Sequence, residues 1–226
     1  MISKKEQVKM TIFQKLFWMQ QMGIRVLCGE KPRALSGAST HQMSSKGSEE
    51  ALAKKLISSK SALSATATHP MGGVGAIPAK VMCLLEMPSA NEDRTGVPLS
   101  GPEGELLKKM LSAIGLETNV QTHVAYLSPW RAPGARVLTA VETQEGLALL
   151  KERLALVHPE VLVLFGLPVV QALLGIPLGQ ARTKSHVYQE IPVFATFAPS
   201  FLIKNPNYKK GAWEDLKKLQ AWLEEK

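Results

Sequence analysis

The sequence predicts an α/β protein, a three-layer α/β/α sandwich around a central four-stranded, mainly parallel sheet. Three observations carry this. Short apolar runs recur at VMCLLE (81–86), HVAYL (123–127), EVLVLFG (160–166) and PVFATF (192–197). Segments of helical length and periodicity separate them. Strands alternating with helices in this way imply a parallel sheet covered on both faces.

Taken in order, residues 8–27 read as an amphipathic helix, with Ile12, Leu16 and Met19 on one face and Phe13, Phe17 and Trp18 beside them. Residues 1–29 are therefore expected to form an N-terminal helix. Residues 30–79 are rich in Ser, Ala, Lys, Gly and Thr and contain no Phe, Trp or Tyr. Such a stretch buries too little apolar surface to offset its ordering entropy, so a largely flexible linker is expected, with one short helix over 48–57. The domain proper is expected over 80–226. Within it, Glu92 and Asp93 fall in a loop before the glycines at 96, 101 and 104. Ser100 and Glu103 predict a capping box for a helix over about 102–114, ended by Gly115. Helices are expected over 143–157 and 168–174. Asn205 is expected to cap a last helix, with Pro206 at its first position, running to about 223.

Composition excludes several classes. The net charge is +8, but residues 1–80 hold 12 Lys and Arg against 4 Asp and Glu, while residues 81–226 hold 15 of each. The basic excess therefore lies outside the α/β region, and any polyanion contact there must come from local features. No apolar run reaches the ~18 residues of a membrane span. Lys4, Lys5, Glu6, Lys9 and Lys15 interrupt any signal-peptide core. Cys28 and Cys83 are too few for a disulfide framework, a zinc site or a four-thiolate cluster. No histidine stands at metal-binding spacing. A cytoplasmic protein with reduced thiols and no metal is expected.

Ligands of an open parallel sheet bind at the carboxyl ends of its strands. Here those ends deliver Glu86-Met87-Pro88-Ser89, Leu127-Ser128-Pro129-Trp130-Arg131, Phe165-Gly166 and Phe197-Ala198-Pro199-Ser200. Glu86 is the one ionisable group placed directly at a strand end, where a carboxylate can orient or activate water. Arg182 and Lys184 in ARTKSH are candidates for phosphate contact.

Together these segments resemble the uracil-DNA glycosylase superfamily, in particular its bacterial family 4-like, phage DNA polymerase-related branch. MCLLEMPSANEDRTGVPLSGPEGELLKKMLSAIGL (82–116) resembles that branch's first motif. YLSPWRAPGAR (126–136) resembles the segment after its second strand. PEVLVLFGLPVVQALLG (159–175) and VFATFAPSFLIKNPNYKKGAWEDLKKL (193–219) resemble its third strand and final motif. WMQQMGI and SATAT (64–68) resemble its leading segments. The resemblance implies base-excision repair: a hydrolase that flips uracil out of DNA and cleaves its N-glycosidic bond with water. A monomer is expected.

By the same resemblance, Glu86 positions the water, and the base pocket comprises Met87, Pro88, Ser89, Leu99, Tyr126 and Ala198. Arg131, Arg136, Arg182, Lys184 and Ser200 would contact DNA, uracil-containing or single-stranded. Several roles are altered. The family's stacking phenylalanine is Leu99, its base-reading asparagine is Tyr126, its histidine is Ala198, and a motif-one glycine is Ser89. Its four iron–sulfur cysteines have no counterpart: the leading pair meets only Ser, Ala and Leu near 61–65, and the others fall on Trp130 and Gly146. No cluster is expected. Reduced or altered activity follows from this degenerate site, and a catalytically inactive, DNA-binding relative is the alternative.

Overall fold

A computed structural model of the chain describes residues 62–226. The expected helices over 8–27 and 48–57 lie outside the described residues.

Four parallel strands form the centre of the sheet: β2 (Val81–Leu85), β3 (Thr122–Tyr126), β4 (Val161–Phe165) and β6 (Ile191–Thr196). Their order across the sheet is β3-β2-β4-β6. Each expected strand is present. Two short antiparallel strands complete the edges, β1 (Val74–Gly75) against β3 and β5 (His186–Tyr188) against β6.

Side chains alternate between two apolar layers, as the period of a strand dictates. Val81, Cys83, Val124, Val161, Val163 and Phe165 face helices α2 (Gly101–Ser112), α6 (Pro199–Lys204) and α7 (Lys209–Glu224). Met82, Leu84, Ala125, Leu162 and Leu164 face α3 (Ala140–Val157), α4 (Leu167–Leu174) and α5 (Leu178–Ala181). This is the expected three-layer sandwich. Among the described residues no helix is long and apolar enough to cross a membrane.

Four expectations are corrected. Residues 62–79 are not linker: Leu63 and Met71 are each 2% exposed, and β1 pairs with β3. A few well-placed apolar side chains anchor a segment whose average composition is polar. Glu92 and Asp93 lie not in a loop but in a short helix, α1 (Ala90–Thr95), capped by a reciprocal Ser89–Glu92 box. Ser100 makes no side-chain cap to α2; its hydroxyl sits 3.1 Å from that of Thr95. Asn205 does not cap the last helix. Its side chain donates to the Phe201 carbonyl at the end of α6, and a 3-10 turn over Pro206–Tyr208 precedes α7.

Candidate active site

The ends of β2, β3, β4 and β6 meet around a cavity of about 280 Å³. That is near the lower end of the range for small-molecule sites, roughly 300 Å³. All seven residues assigned to water positioning and base pocket line it: Glu86, Met87, Pro88, Ser89, Leu99, Tyr126 and Ala198. Leu107 and Phe165 add apolar surface. Tyr126 forms part of the wall and leaves the cavity open.

Glu86 follows directly on β2 and is half-buried. Burial raises its carboxyl above the ordinary carboxylate range. Its backbone carbonyl accepts from the Ser128 N–H at 2.9 Å, which extends the β2–β3 ladder beyond the strand ends and holds Glu86 at the rim.

Sequence reasoning missed the organising group, Glu92. Only 4% exposed, it lines the same cavity. Its carboxylate accepts from the backbone N–H of Ser89 and of Leu99, each at 2.7 Å, and from the Tyr126 hydroxyl. One buried side chain thus joins the loop after β2, the Leu99 backbone and the end of β3. Leu99 needs this hold, because its φ of 54° lies in the left-handed region that non-glycine residues rarely occupy. Gly104 completes the fit: a Cβ there would stand 2.1 Å from the Leu99 carbonyl oxygen. The Ser89-x-x-Glu92 spacing is itself a capping-box signal and was available in the sequence.

The five DNA-contact candidates divide. Arg131 and Ser200 line the cavity. Arg131 donates to the Pro88 carbonyl at 2.7 Å, bracing the loop that carries Glu86, and a guanidinium has further donors to offer. Arg136, Arg182 and Lys184 stand away from the cavity lining. Arg136 pairs with Glu142 through both terminal nitrogens, at 2.8 and 2.7 Å. Its hydrogen bonds, with those from Thr139, hold the Glu142 carboxyl down to about 2. Arg182 bonds Asp215 at 2.6 Å and lies 4.0 Å over the Phe197 ring, so it braces α7. Lys184 is exposed.

Leu63 and Trp130, which lie where the resemblance would put iron–sulfur ligands, belong to a third apolar cluster. Leu63, Leu127, Trp130, Ala132 and Leu138 are buried together, with Met87 and Leu147 packed against them. At Gly146 a Cβ would lie 2.5 Å from the Leu127 carbonyl oxygen, leaving no room for a side chain. These residues have no thiolate to offer and do not fit a cluster. Cys83 is wholly buried in β2, and burial pushes its thiol pKa upward.

The architecture defines the class first: a doubly wound α/β protein with a cavity at the carboxyl ends of its parallel strands, where ligands of such sheets bind. A family model of the uracil DNA glycosylase superfamily matches residues 73–217. The chain belongs to that superfamily. It is 30% identical over 159 residues to the type-4 uracil-DNA glycosylase of Sulfurisphaera tokodaii, covering 66% of this chain and 72% of that protein. Against the type-4 uracil-DNA glycosylase of Archaeoglobus fulgidus it is 27% identical over 157 residues, 65% and 78% of the two chains. A DNA polymerase of Bacillus phage SP01 is 23% identical over 155 residues, 68% of this chain but 17% of the polymerase.

Proposed function

We propose that this chain is a DNA glycosylase-type hydrolase. Its cavity takes a base flipped out of DNA, and Glu86 directs water onto the sugar carbon. The observation that carries this reading is the half-buried Glu86 carboxyl at the head of the sheet, in a cavity with mostly apolar walls. A base within the duplex stack is out of reach, so extrusion precedes chemistry. The C1′–N bond breaks with its electron pair leaving on the base. Water bonds to C1′, and Glu86 takes the water's proton.

The departures at Leu99, Tyr126 and Ala198 support a slow enzyme. Ala198 has no side-chain donor for charge developing on the departing base, and losing one such donor costs about 100–1,000-fold in rate. We also propose that the protein works without a metal cluster, the Trp130-centred apolar cluster taking its structural place. Iron and acid-labile sulfide analysis of protein expressed with ample iron should find neither at stoichiometric level.

Single-stranded oligonucleotides carrying uracil, treated with alkali after incubation and resolved on a gel, test the enzyme reading. Slow cleavage is expected, falling at least about 100-fold in Glu86→Gln. Because burial raises the Glu86 carboxyl, its ionised form is lost at higher pH than for an ordinary carboxylate. Activity should therefore rise with pH, with a midpoint above the ordinary carboxylate range. Salt-dependent binding with no cleavage at any pH would establish the DNA-binding alternative.

A further inference from the structure

Tyr126 and Glu92 form a hydrogen-bonded pair in the cavity wall that the hydrolytic scheme does not use. The Glu92 carboxylate accepts from two backbone N–H groups, those of Ser89 and Leu99, at 2.7 Å each. It receives the Tyr126 hydroxyl as well. Burial, then the Glu92 charge and hydrogen bond, hold the phenol well above its ordinary pKa, so the hydroxyl keeps its proton. A phenol has one donor and two acceptor lone pairs. With the donor directed at Glu92, Tyr126 has only acceptor capacity to offer a ligand. The side chains of Leu99, Leu107 and Phe165 in the same cavity supply no polar group at all. A ring that turns a carbonyl to Tyr126 and Glu92 meets oxygen against oxygen. A ring that turns an amino group there finds an acceptor.

We propose that the wall formed by Tyr126 and Glu92 sets the ligand preference of the cavity. It favours a heteroaromatic ring that directs an exocyclic amino group to it, as cytosine can, over one that offers only carbonyl oxygens as exocyclic groups, as uracil does. The inference rests on the base-binding reading above.

Titrating the full chain with free cytosine and free uracil, followed by amide chemical shifts, tests it without requiring turnover. Cytosine is expected to bind wild type about ten-fold more tightly than uracil, the scale of one buried polar group left unpaired. Tyr126→Phe keeps the ring and leaves the Glu92 carboxylate as an acceptor in the wall, so the preference for cytosine should persist. Tyr126→Asn restores a donor and should move the preference toward uracil. Uracil binding as well as or better than cytosine in wild type overturns the proposal, as does a cytosine preference that survives unchanged in Tyr126→Asn. Binding of neither base overturns both this proposal and the base-binding reading, whereas equal binding of the two overturns this proposal alone.

Discussion

At the residue scale the site turns on two carboxylates with different work. Glu86 is half-buried and faces the cavity with burial as its dominant influence. Glu92 is buried and engaged by three donors. Removing the second should therefore damage the fold before it damages chemistry. Glu92→Ala leaves the Ser89 and Leu99 N–H groups and the Tyr126 hydroxyl without their acceptor. It should cost about 3 kcal/mol or more in urea denaturation. A loss below about 1 kcal/mol would show that water replaces the carboxylate and that Glu92 does not organise the wall. Glu86 was legible because a charged residue directly after an apolar strand is conspicuous. The role of Glu92 was not, since its partners lie 3, 7 and 34 residues away.

Among elements, the four central strands were readable because each is a nearly continuous apolar run, the pattern of a strand covered on both faces. The edge strands were not. The β5–β6 hairpin turns through Gln189 and Glu190, with φ of 49° and 68°, positions where Asn-Gly is the usual signal. α6 has six residues and follows Ala198 without a side-chain cap, too short for periodicity to register. The third apolar cluster ties the segment around Leu63 to the β3–α3 connection and to Met87 in the cavity wall. Trp130→Ala should destabilise the protein by about 3–5 kcal/mol. Gly146→Ala should cost roughly 1–3 kcal/mol, by forcing α3 away from Leu127. Thermal melts of both variants check this, and near-native melting of Trp130→Ala would remove the cluster's structural role.

Across the whole molecule, acid sensitivity has an identifiable source. His123 in β3 is 2% exposed, and neither ring nitrogen has a hydrogen-bond partner. Burial, then the charge of Arg153, lower its pKa from 6.5 to about 4. Arg153 is itself buried, with one 3.4 Å contact to the Tyr126 carbonyl. The folded state thus keeps His123 neutral where the unfolded chain takes up a proton. This contribution is intact above about pH 6.5 and is lost progressively as pH falls toward 4, reaching about 3 kcal/mol. Denaturation midpoints measured across that window should fall with pH, and His123→Phe should flatten the slope. A slope unchanged in His123→Phe would assign the acid sensitivity to other groups.

The sequence by itself determined the layered α/β architecture, the rim where four strand ends converge, and the identity of Glu86 as the carboxylate placed there. Those follow from local rules: strand period, helix period and the direction of parallel strands. Only the tertiary structure decided that Tyr126 points its hydroxyl at Glu92, that Arg182 braces α7 while Arg131 reaches the cavity, and that residues 62–79 pack onto the sheet. Each of these depends on which distant groups meet, because a buried donor or cation takes its partner from wherever the fold brings one.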